Sequence, residues 1–271
     1  MGFVHHVPPK PFDSLIESIW DYDCAPVAHA FERILPAPGA SLILNLLEDE
    51  TRVYADDLGV SCTRSAGSVV SGPYTRSFVI DTHEQQRVMG IVFRPGGAWP
   101  FFGTDLDVLS NTDVALDAVC GASARALRER LLHTVEPARR IALLQAWLIA
   151  RARGTGPSDV ICGALGLLDA DPAVVRIGDV VAATGLSSQR FGQLFRAQVG
   201  LSAKRYARLQ RFRVVIATLG HGRAVDWAGV AADGGFCDQA HLVHEFRSFA
   251  GMTPGDYLRR RGEHINHVPL A

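Results

Sequence analysis

Over residues 184–202, and again over residues 235–259, this chain runs through the same order of features. Each stretch has a glycine turn, a segment with apolar residues three and four apart, and a second turn that opens another helix. In the later stretch Leu242, Phe246 and Phe249 follow i, i+4, i+7 spacing. That is one stripe of a helix that must face a core, and it turns Gln239, Val243, His244 and Arg247 outward. In the earlier stretch Phe191, Leu194 and Phe195 form the stripe, and Gln189, Gly192, Gln193 and Arg196 lie outside it. Ser187 stands where a hydroxyl can cap the free amides of a helix start. A short apolar segment precedes each turn, residues 177–183 in one case and 225–232 in the other. Helix, glycine turn, helix is the helix-turn-helix motif, and here it occurs twice with its glycines, Gly185 and Gly235, 50 positions apart.

The run Gly235-Phe236, Asp238-Gln239, Phe246-Arg247, Gly251-Met252-Thr253-Pro254 and Tyr257-Leu258-Arg259 resembles the AraC/XylS family of bacterial transcription regulators, over residues 158–262. The resemblance implies a seven-helix DNA-binding domain of two helix-turn-helix subdomains, joined by a helix that here spans 202–219. The residues agree: Tyr206, Leu209, Phe212, Ile216 and Leu219 give that helix an apolar face, and Lys204, Arg205, Arg208, Arg211 and Arg213 a basic remainder. At a rise of about 1.5 Å per residue it is on the order of 27 Å long, suited to holding two recognition helices near the ~34 Å separation of successive major grooves. The expected base contacts are Gln189, Gln193, Gln239, Val243 and His244. The expected phosphate contacts are Arg190, Arg196, Arg205, Arg208, Arg247 and Arg259. Two positions depart from the family pattern. Gly192 sits inside a recognition helix, where glycine costs about 1 kcal/mol relative to alanine. Cys237 stands where a serine cap is common, and is expected to be packed and inert.

Charge is divided along the chain. Residues 159–263 hold 13 Lys and Arg against 10 Asp and Glu, whereas the remainder holds 14 against 18. With 27 basic and 28 acidic residues overall, binding to nucleic acid has to come from where the arginines sit rather than from total charge.

Residues 1–103 read as β-rich. An apolar run at 41–47 is bounded by a Pro/Gly segment and by Glu48-Asp49-Glu50, and shorter runs follow at 68–70, 77–80 and 88–93. Strands this short with turns between them indicate a small barrel or sandwich. The segment, with Gly72-Pro73 and Phe93-Arg94-Pro95-Gly96-Gly97, resembles the sensor-type domain of uncharacterised role often found before AraC-type DNA-binding domains. Beyond residue 106 the period changes. Ala124, Leu127 and Leu131, then Ile141, Leu144 and Leu148, mark two helices broken at Glu136-Pro137, which either pack on their own β-domain or supply a dimer contact. Residues 154–158 are a linker by composition. The expected fold is thus α+β: residues 1–153 a β-rich barrel or sandwich with a helical hairpin, for sensing or dimerisation, and residues 158–262 an all-α domain with two helix-turn-helix subdomains.

Nothing in the sequence points to catalysis. His83-Glu84 is the one acid-base pair of the β-region and lacks the further histidines of a metal site. Arg94-Pro95-Gly96-Gly97 lacks the Lys-Ser/Thr of a phosphate loop, and no Gly-x-Ser-x-Gly elbow occurs. No catalytic residue, metal ligand or cofactor is expected. Trp20, Tyr22, Arg33, Asn45, Tyr74 and Arg94 are types that line pockets, each equally able to serve the fold. Terminal His5-His6 and His264 to His267 are expected to be disordered. Five cysteines at wide spacing form no disulfide framework, the start lacks a signal peptide, and no apolar run reaches the ~18 residues of a membrane span. The reading is a cytoplasmic, sequence-specific transcription regulator whose partners are double-stranded DNA, a second copy of the chain, a possible small-molecule effector, and RNA polymerase if it activates. The alternative is a catalytic or metal-binding β-barrel fused to a DNA-binding domain.

Overall fold

The computed structural model describes residues 2–154, 156–219 and 225–270. Among the described residues, eleven strands lie in two antiparallel sheets and close into no barrel. The first sheet has the order β1 (Gly2–His6), β2 (Ile16–Asp23), β9 (Arg87–Phe93), β4 (Ser41–Asn45), β7 (Ser68–Ser71) and β10 (Asp113–Ala115). The second has β11 (His267–Leu270), β3 (Phe31–Ile34), β8 (Phe78–Asp81), β5 (Glu50–Tyr54) and β6 (Cys62–Ala66).

The α-helices of the N-terminal region are α1 (Trp99–Phe102), before β10, and α2 (Leu116–Cys120), α3 (Ala122–Leu132) and α4 (Pro137–Ile149) after it. Their apolar stripes are spent inside the domain: Leu127, Leu131, Ile141, Leu144 and Leu148 share one core with Leu42, Leu44, Ile91 and Phe93 of the first sheet. Of the two fates open to these helices, packing on their own sheet is the one observed. One bidentate ion pair clips them down. Arg140 of α4 donates to Asp21 of β2 through Nε (2.6 Å) and Nη2 (2.7 Å), with both side chains 1% exposed. Its Nη1 also bonds the carbonyls of Thr134 and Val135, which fixes the turn between α3 and α4.

Seven further helices follow: α5 (Asp159–Ala170), α6 (Ile177–Thr184), α7 (Ser188–Val199), α8 (Ala203–Thr218), α9 (Trp227–Asp233), α10 (Gln239–Ala250) and α11 (Pro254–Arg260). They build two cores. One gathers Ile161, Leu168, Val180, Phe191, Phe195 and Tyr206. The other gathers Leu209, Phe212, Ile216, Leu242, Phe246, Phe249 and Tyr257, and also draws in Leu35 and Val268.

His5, His6 and His267, expected to be disordered, lie in paired strands. β1 pairs with β2 along its whole length, from Gly2 opposite Asp23 to His6 opposite Ile19. β11 pairs with β3, from His267 opposite Ile34 to Leu270 opposite Phe31. The C-terminal strand therefore returns to the N-terminal sheet. The stretch 156–158 is likewise engaged, since Ser158 N donates to Gln198 Oε1 at 2.8 Å.

Candidate nucleic-acid interface

The recognition helices are set by the same local chemistry twice. α6 ends at Gly185 in the left-handed region (φ 67°), and the Ser187 side chain caps α7 by accepting from Arg190 N at 3.3 Å. After α9, Gly235 (φ 71°) turns the chain against the segment between α5 and α6, where a Cβ would stand 2.3 Å from Ala173 O. Asp238 then caps α10, accepting from His241 N at 2.7 Å. The cap is thus Asp238, and Cys237 lies one residue ahead of it, exposed rather than packed.

Measured from these caps, Ser187 to Asp238, the repeat is 51 residues, one more than the glycine spacing. At that offset Phe195 and Phe246 are both buried, Gly200 and Gly251 both end their helices with positive φ, Ser202 and Thr253 both cap the next helix, and Tyr206 and Tyr257 are both fully buried. The outward faces align as well: Gln193 occupies the position of His244, and Arg196 that of Arg247. Gln189 and Gln239 are not equivalent, since Gln239 opens α10 and Gln189 is the second residue of α7.

Gln189, Arg190, Gln193 and Arg196 of α7 are exposed, as are Gln239, His244 and Arg247 of α10, while Val243 is half-buried. Gln239, Ala240, Val243, His244 and Arg247 line a shallow open hollow on α10. Among the described residues these polar side chains make no hydrogen bond to the rest of the protein. Each helix thus offers unspent donors, acceptors and charge along one face, the arrangement that meets base edges in a major groove.

The connecting helix α8 is basic in sequence, yet most of that charge is used internally. Arg208 grips Glu245 of α10 through Nε (2.8 Å) and Nη2 (2.7 Å). Burial alone would raise the Glu245 carboxyl, but this guanidinium outweighs burial and holds it below the usual range. Arg211 donates to Gly235 O at 3.1 Å and lies over the Phe236 ring, and Arg213 reaches Asn266 Oδ1 at 3.4 Å. At the other end Tyr206 donates to Asp169 Oδ1 at 2.7 Å. Lys204 and Arg205 remain exposed. Arg208, expected to face phosphate, has its fork engaged by the buried carboxylate of Glu245. Arg259 is exposed and pairs with Asp256 beside it.

The candidate pocket residues of the β-region do not converge. Arg33 bonds Asp57 and Ser77, Asn45 bonds Glu50 and Glu84, and Arg94 donates to Asp13 O.

Residues 180–260 match the model of a family described as a helix-turn-helix domain. The C-terminal region thus carries a helix-turn-helix domain. Residues 4–115 match a family described as a domain of unknown function (DUF6597). No curated protein matches the sequence. Among solved structures, ToxT from Vibrio cholerae O395, bound to (E)-4-(8-methylnaphthalen-1-yl)but-3-enoic acid, is 9% identical with a TM-score of 0.48, covering 96% of this chain and 99% of that one. The DNA-binding domain of AdpA, in complex with a target DNA, is 21% identical with a TM-score of 0.34, covering 38% of this chain and 92% of that one. At these scores neither similarity assigns a role to any residue here. Among the described residues no helix is long and apolar enough to cross a membrane.

Proposed function

We propose that this chain is a DNA-binding transcriptional regulator of the AraC type that reads one duplex with both recognition helices. Gln189 and Gln193 of the first unit, and Gln239, Val243 and His244 of the second, face the bases. Arg190, Arg196, Arg205, Arg247 and Arg259 face phosphate. The observation that carries this reading is the repeated, unspent polar face of α7 and α10 at an offset of 51 residues, Ser187 to Asp238. The N-terminal sheets and their helices form a control domain, answering to a small molecule or to self-association in the cytosol. Since the α3 and α4 stripes are buried, a second copy has to use another surface. The β1 edge, exposed along Gly2–His6 and free of charged side chains, offers one. Catalysis is not part of the reading: Glu84 is buried and engaged by Asn45 Nδ2 at 3.0 Å and Arg52 N at 2.9 Å, unlike a carboxylate poised at a cleft.

The test selects genomic fragments with the full chain, then compares Gln193→Ala and Gln239→Ala on the recovered site and on random duplex. At least one substitution should cost roughly 1 to 3 kcal/mol on the selected site and little on random DNA. If both leave the ratio of specific to random binding unchanged while thermal melting is unaltered, the assignment of base contacts is wrong.

A further inference from the structure

We propose that the N-terminal sheets are the gauge that fixes the separation and angle of the two recognition helices, with β11 as the clasp that holds the second unit on it. This rests on the reading above, that both units engage one duplex.

Each recognition helix is docked on the N-terminal region at the same point, the glycine that ends it. A Cβ on Gly200, after α7, would stand 2.6 Å from Pro73 Cγ and 3.0 Å from Leu106 O. A Cβ on the equivalent Gly251, after α10, would stand 2.6 Å from Arg33 Nη1 and 3.3 Å from Ser77 Oγ. At both points the backbone approaches the N-terminal region so closely that a side chain would not fit without a shift. The end of α10 is also bonded in place, since Ser77 N donates to Phe249 O at 2.7 Å; at the end of α7, Gln198 Oε1 accepts instead from Ser158 N, the cap of α5 within the same domain.

The second unit carries an extra attachment without counterpart in the first. β11 inserts one side chain on each side of the junction: Val268, fully buried, enters the core of the second unit with Leu35, whereas Leu270 packs with Tyr54 and Val79 of the second sheet. On the polar side Glu32 of β3 is held between two imidazoles, His29 Nε2 at 2.6 Å and His267 Nδ1 at 2.8 Å. Tyr257 and Arg213 reach into the same segment, at Ile265 O (2.9 Å) and Asn266 Oδ1 (3.4 Å). Val268, Leu270 and His267 are therefore positioning residues. They touch no DNA face, yet they tie α10 to the body that also holds α7.

Rigid linkage of two binding elements raises affinity only when their span matches the target, by a factor of about 10² to 10⁴. A clasped protein should thus demand one spacing between its two half-motifs, and an unclasped one should tolerate several. The experiment offers the full chain a pool of duplexes that carry the selected half-motifs with spacers lengthened or shortened by up to five base pairs. Val268→Asp and a chain ending at Glu263 are compared with the unaltered protein, and hydrogen exchange follows the amides of α7 and α10. The unaltered chain should prefer one spacer. Both variants should lose roughly ten- to a hundredfold at that spacer, lose much less at the others, and exchange faster in α10 but not in α7. A uniform loss at all spacers, or retention of the same preference with a folded α10, overturns the clasp while leaving two-unit binding intact. An unaltered chain that is indifferent to spacing overturns both.

Discussion

Arg208 shows how the same residue can read as a DNA contact in sequence and as an internal strut in structure. It lies on a helix with four other cations, and nothing near it in sequence announces the carboxylate that fills its fork. Its partner Glu245 is only 8% exposed and sits on α10, 37 residues away. Arg208→Ala would leave that carboxylate buried without its charge partner, so unfolding in urea should show a loss of about 1 to 3 kcal/mol. The salt dependence of DNA binding should hardly change, because no phosphate contact is lost. The acid sensitivity of the fold should weaken too. The Glu245 carboxyl is held below the usual range in the folded protein, so its contribution is present at neutral pH and lost as the pH falls through that folded value. Removing Arg208 takes away the main lowering influence and leaves burial to push the carboxyl up, so this source of acid sensitivity is lost. A salt slope reduced by about one, with stability unchanged, would return Arg208 to the phosphate-contacting set.

Among the elements, those with local signals were legible and those held by distant partners were not. The α7, α8 and α10 stripes, the cap at Ser187, and strands β4, β7, β8 and β9 follow from spacing and turn residues alone. Strand β2, the longest of the described strands, did not, because its register shifts between Ile16 and Ser18 and its inward position 21 is an aspartate. A buried Asp21 makes physical sense only beside Arg140, 119 residues away. The glycines repeat at 50 residues and the helix caps at 51. The glycines are the conspicuous markers, but the caps set the helix register, and Asp238 stands three residues after Gly235 whereas Ser187 stands two after Gly185. The Asp21–Arg140 pair has its own consequence. Arg140→Met keeps the volume of the side chain but strands a carboxylate that is 1% exposed, and should destabilise the protein by about 3 to 5 kcal/mol. The double variant Arg140→Met, Asp21→Leu should recover most of that loss. Equal destabilisation of the single and double variants in thermal melts would mean the pair is not what holds α4 on β2.

At the scale of the whole chain, the boundary drawn at residue 158 divides sequence patterns more cleanly than it divides cores. Residues 158–262 contain both helix-turn-helix units, and from sequence alone that fragment should fold and bind DNA by itself. The first unit supports this, since its buried core from Ile161 to Ala207 is drawn entirely from within the fragment. The second unit does not, because Leu35 from the N-terminal region and Val268 from β11 both belong to its core. Deleting a buried leucine side chain alone typically costs about 2 to 5 kcal/mol, and here a valine and a strand go with it. A fragment of residues 158–262 should therefore keep α7 protected and lose protection in α10, which hydrogen exchange read helix by helix would resolve. Its binding should fall toward that of a single half-motif. Supplying β11 by extending the fragment to Ala271 should restore little, because β3, the strand that β11 pairs with, is still missing. Equal protection of α7 and α10 in the shorter fragment would show that the second unit closes its core unaided, and that Leu35 and Val268 merely rest against it.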